Sequence, residues 1–176
     1  MSYEAQCGTD NLDGPRASTL YLNTHSVSQI LSTINSHSSC GSKMGRGNHL
    51  SIQIPRNFSV PKHTAFDLIA TGGNSAQSYI WEQYDTDSQA PSDAQASPLN
   101  AGKYTTTPMY RSYDPSPGGN HRSFPSKDVQ STGKPKRGEV YADVARDITM
   151  RLMTRSGGSI RCDEMTVTVR GAPPFK

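Results

Sequence analysis

Apolar residues along this chain fall mostly into short alternating runs, with one stretch where they recur at helical spacing instead. In 26–36, Val27, Ile30, Leu31 and Ile34 stand at i, i+3, i+4 and i+7, which places four aliphatic side chains on one face of a helix. Ser26 followed by Gln29 has the spacing of a capping box, and Gly41, Gly45 and Gly47 end the pattern. Elsewhere the period is two. Leu20 and Leu22 flank Tyr21, and Leu50, Ile52 and Ile54 alternate with Ser51 and Gln53 before Pro55 closes the run. Phe58 and Val60 sit between Pro55 and Pro61. The segments 64–71 and 78–84 read as two strands joined by a tight reversal at Gly72-Gly73, because glycine accepts the positive φ that such turns need.

Near the C-terminus two periodicities overlap. Val140, Val144, Ile148 and Leu152 fit an i, i+4 stripe, whereas Ile148, Met150 and Leu152 alternate as a strand does. The turn at Arg155–Ser159 and the clear alternation of Met165, Val167 and Val169 with threonines favour a hairpin of 147–154 with 160–170. A short helical or irregular piece at 139–146 precedes it.

The expected fold is therefore mainly β, a small sandwich or jelly-roll-like sheet pair of about six short strands with one amphipathic helix at 26–36. Its predicted core is Leu20, Leu22, Ile30, Leu31, Ile34, Leu50, Ile52, Ile54, Phe66, Leu68, Ile80, Ile148, Leu152, Val167 and Val169. Residues 1–16 form an N-terminal arm, 17–85 the first half of the domain, 138–170 its completing hairpin and 171–176 a second arm. Between them, 86–137 carries Pro91, Pro98, Pro108, Pro115, Pro117, Pro125 and Pro135 and few aliphatics, which predicts an extended surface segment in place of core. Tyr104, Met109, Tyr110, Tyr113 and Phe124, spaced through it, are the candidate anchors by which it lies along another surface.

Composition sharpens this picture. Apolar residues make up 32% of 176, with 15 Gly, 4 Phe, 8 Tyr and 1 Trp, less core material than a globular domain usually has. The net charge is only +3, so the chain is polar through Ser, Thr, Asn, Gln and Gly, unlike a charged solvated tail. Such a chain is expected to gain stability from neighbours.

The candidate chemistry is sparse. Three cysteines, Cys7, Cys40 and Cys162, are odd in number and far apart, which argues against a disulfide framework. His37 and Cys40, with His49 and His63 beyond, supply only one half of the paired spacing of a structural zinc site, so no metal is expected. The loop CGSKMGRGN has glycines, Lys43 and Arg46, but not the order of a Walker A loop, and no Gly-x-Gly-x-x-Gly follows a strand; no cofactor is expected. Gly-x-Ser-x-Gly is missing, and Asp85 and Asp87 lack the apolar pocket that paired-carboxylate catalysis needs. The run Lys134-Pro135-Lys136-Arg137 is the strongest electrostatic feature, a candidate anion contact together with Lys43 and Arg46. No signal sequence and no apolar run of membrane-spanning length is read, so an intracellular or virion location is expected. Together these readings predict a non-enzymatic structural subunit that contacts other protein subunits, copies of itself among them, with a virion component (minor capsid, cement or tail protein) as the expected setting. The alternative is a basic nucleic-acid-associated or ribonucleoprotein component.

Overall fold

The computed structural model describes residues 22–37, 50–85, 98–136 and 138–171. Its elements are α1 (Thr24–Ser36), β1 (Phe58–Pro61), β2 (Phe66–Ile69), β3 (Ser78–Gln83), β4 (His121–Phe124), α2 (Lys127–Thr132), β5 (Arg146–Ser156) and β6 (Ser159–Arg170), with a 3₁₀ turn at Pro98–Lys103. Among the described residues six strands form two sheets, so the molecule is mainly β: a four-stranded sheet of order β1-β6-β5-β3 and a two-stranded sheet of β2 with β4. The predicted C-terminal hairpin is present. β5 and β6 pair antiparallel from Arg146↔Val169 to Ser156↔Ser159, around a turn in which Gly157 and Gly158 both take positive φ. Residues 140–145 ahead of it are irregular.

Alternation along the hairpin decides where the core lies. Ile148, Met150 and Leu152 of β5 face inward with Met165, Val167 and Val169 of β6, Trp81 of β3 and the half-buried Phe58 and Val60 of β1. Against this face pack Phe66 and Leu68 of β2 and Phe124 of β4. The rings of Phe66 and Phe124 stack at 5.4 Å, and Tyr110 meets Phe124 edge-on at 5.0 Å. The opposite face of the large sheet carries Ile80, Met153 and Cys162, on which α1 lands.

Several expectations are corrected. The strands around Gly72-Gly73 are not a hairpin: β2 pairs with β4, and β3 pairs with β5. The chain instead crosses between sheets, tied at Thr71 to Gln53 by two backbone hydrogen bonds of 2.8 and 2.9 Å. Gly73 is required there by close approach, since a Cβ on it would stand 1.7 Å from the Tyr79 hydroxyl oxygen. Leu50 and Ile52 are buried as expected and Ile54 is half-buried, but their run forms only the single bridge at Gln53 and no ladder. The segment 98–136 is not a surface strap. It contributes β4, α2 and the buried Ala101, Met109, Tyr110, Phe124 and Val129, because its prolines punctuate short core-forming pieces without excluding them. Leu22, Ile30, Leu31 and Ile34, expected in the core, are exposed. Leu20, the arm 1–16 and the tail beyond 171 lie outside the described residues.

Candidate docking surface

α1 begins one turn earlier than the capping-box spacing suggested. Asn23 is its N-cap, with the side-chain oxygen accepting from the Ser26 backbone N–H at 2.8 Å. The first turns are pinned to the outer face of the large sheet by polar contacts as much as by packing. The Thr24 N–H donates to Oε2 of the buried Glu82 on β3 at 2.6 Å, and Arg151 of β5 donates to the Ser28 hydroxyl at 2.5 Å. Between those two points Val27 packs with Ile80, Met153 and Cys162. Arg155 donates to the Leu22 carbonyl just ahead of the helix. Attachment thus runs from β3 toward β5 within about one helical turn.

Beyond Ser28 every residue of the helix, from Gln29 to Ser36, is exposed. Ile30, Leu31 and Ile34 keep 42%, 44% and 55% of their surface in solvent. Their sequence spacing places them on the Val27 face, so the apolar stripe continues from a buried anchor into open solvent. Ile160, also exposed, stands on the same outer face two residues along β6 from Cys162, the neighbour of Val27. No Asp, Glu, Lys or Arg occurs in Thr24–Ser36; the polar positions are Ser, Thr, Gln, Asn and one His.

Two shallow depressions share Tyr84 and Asp85, and the first also takes in Asn23, Thr24 and His25 at the start of α1. One of about 290 Å³ lies toward His25, Glu82 and Ser112, the other of about 460 Å³ toward Thr105, Asp147 and Glu164. Their carboxylates already hold the fold together. Glu82 accepts from Thr24 and from the Ser112 hydroxyl, and Asp85 accepts from the Thr149 N–H at 2.8 Å and the Gln83 amide at 2.7 Å and pairs with Arg146. Glu164 pairs with Arg151, whose guanidinium lies over the Tyr84 ring at 3.3 Å. Among the described residues no group of three or more His, Cys, Asp or Glu is placed to hold a metal, and no helix is long and apolar enough to cross a membrane. No family model, curated protein or solved structure matches the chain.

The residues singled out from sequence do not converge on one site. Met109, Tyr110 and Phe124 are buried in the chain's own core, which removes them as anchors on another surface. Burial, and then the Glu139 carboxylate, push the Tyr110 phenol far above its ordinary pKa. Tyr104 is half-buried, its carbonyl held by Arg146 at 2.9 Å. Tyr113 is exposed on one side and carries the guanidinium of Arg122 at 4.5 Å from its ring centre on the other. Lys134 and Lys136 are exposed, but Lys136 is paired with Asp128; Lys43, Arg46 and Arg137 lie outside the described residues. The feature missed from sequence is the open half of α1. Its stripe was readable, but its exposure follows from where the helix crosses the sheet, which no local pattern encodes.

Proposed function

We propose that this chain is a non-enzymatic structural subunit of a larger assembly that docks on neighbouring subunits through the distal half of α1, with a virion component as the setting. One observation carries this reading: an apolar helix stripe anchored at Val27 and left open at Ile30, Leu31 and Ile34. A contiguous exposed apolar surface is a common mark of an interaction site, and anchors at i, i+3, i+4 and i+7 are the pattern by which a helix enters an apolar groove or pairs with another helix. The helix sequence supports the same conclusion. THSVSQILSTINS has no Ala, no ion pair and many β-branched residues and serines, so two uncovered turns gain little from intrinsic propensity and are held best by a partner.

The test measures the open stripe in dilute, unassociated protein. An environment-sensitive dye such as anilinonaphthalene sulfonate should bind the wild type and lose most of its signal with the Ile30→Ser/Ile34→Ser variant. In the same samples, hydrogen exchange should show the amides of Gln29–Ser36 far less protected than those of β5. Equal dye signals, with distal α1 amides as protected as β5, would remove the basis of the proposal.

A further inference from the structure

Resting on the reading of α1 as a docking element, we infer that the partner of its open stripe is a second copy of this chain, paired helix to helix about a two-fold axis close to Leu31. The charge pattern selects this partner. About a two-fold axis each residue near the axis meets its own copy, so any charged position there meets a like charge. The distal half of α1 avoids that cost completely, because Gln29, Ser32, Thr33, Asn35 and Ser36 flank Ile30, Leu31 and Ile34 with neutral groups. Hydroxyl and amide side chains donate and accept alike, so this rim is complementary to itself. The depression at the helix start is different: it is lined by the carboxylates Glu82 and Asp85.

Size sets the expected strength. Eight residues of helix span about 12 Å, and three aliphatic side chains left roughly half-exposed bury far less than the about 800 Å² per partner of a standard stable interface. Pairing through α1 alone is therefore weak and reversible. That suits a contact repeated between many copies held close together, where effective concentration makes up for modest affinity.

Sedimentation equilibrium on the full chain tests the inference with a charge exchange at the axis. The wild type should show reversible monomer–dimer behaviour. Leu31→Glu and Leu31→Lys should each weaken dimerisation at least about a hundredfold, and an equimolar mixture of the two should restore a dimer containing one of each. Leu31 is exposed, so neither variant should disturb the fold, and unchanged circular dichroism verifies this. A wild type that stays monomeric at millimolar concentration overturns self-pairing, as does association that the charge variants leave intact or that the mixture fails to restore. The dye and exchange measurement above is read on unassociated protein, so the open face can stand while self-pairing falls.

Discussion

Glu139 is the residue on which most of the interior polar order depends. Only 2% exposed, it accepts from Nη2 of Arg122 at 2.9 Å and from the backbone N–H of Ser126 at 2.8 Å. Arg122 also donates to the carbonyls of Trp81 and Arg111 at 2.6 and 2.5 Å, and its guanidinium lies 4.5 Å from the ring centre of Phe124. One planar, forked cation thus ties β3, β4 and two loops together, a geometry that a lysine ammonium cannot reproduce. Burial pulls the Arg122 guanidinium down from its ordinary range, and Glu139 is the foremost group opposing that shift. Glu139→Gln should therefore cost about 3–5 kcal/mol, since it leaves a buried cation without its counter-charge. Arg122→Met/Glu139→Leu should recover part of that loss but not all, because the Trp81 and Arg111 carbonyls would lose a donor at about 1–3 kcal/mol each. Urea midpoints of the three proteins check this. A Glu139→Gln protein within 1 kcal/mol of wild type (a bound taken as about the net value of one ordinary hydrogen bond) would show that the ion pair contributes little to stability.

Among the elements, those specified by short-range alternation were legible and those specified by distant pairing were not. The β5–β6 hairpin could be read because both strands alternate and a Gly-Gly turn joins them. The β2–β4 sheet could not, because Phe66 pairs with Phe124 across most of the proline-rich segment. Averaged over 86–137 the composition looks like a strap, yet the core residues sit singly or in pairs between the prolines. The α1 stripe was legible as a stripe; how much of it the sheet covers depends on where Glu82 and Arg151 hold the helix. Two truncations weigh the two assignments against each other. Phe124→Ala removes a fully buried ring in contact with Phe66 and Tyr110 and should cost about 3–5 kcal/mol. Ile34→Ala, at 55% exposure, should change the stability of dilute monomer by no more than about 0.5 kcal/mol. If Ile34→Ala proved the more damaging in dilute monomer, the helix would be buried where the structure leaves it open.

For the whole molecule, the aromatic junction at Tyr110 sets the response to alkali. Tyr110 touches the rings of both β2 and β4, its N–H donates to Gln83 of β3 at 3.2 Å, and it bridges to Glu139 ahead of the hairpin, so both sheets meet around it. Burial, reinforced by Glu139, raises its pKa from 10.0 to a value well above the range in which an exposed phenol titrates. Tyr113 is raised in the same direction, first by burial and then by Glu139, but it is half open to solvent and counts for less. The sign of the linkage follows. A phenol held neutral by the fold contributes its full stability below the unfolded pKa of about 10, and that contribution is lost as pH rises from there toward the folded value. Above about pH 10 the unfolded chain has released a proton that the folded chain retains, so stability should fall by about 1.4 kcal/mol per pH unit through Tyr110 alone. The decisive quantity is the difference in slope between wild type and Tyr110→Phe from urea midpoints taken from pH 9 to 11.5 (a window chosen to span the ordinary phenol pKa of about 10), since every other contribution to the slope is common to the two proteins. The variant should lose about one proton's worth of that slope and little else. Parallel lines for the two proteins would mean that the Tyr110 phenol ionises within the folded state, and that the junction of the two sheets admits water and charge.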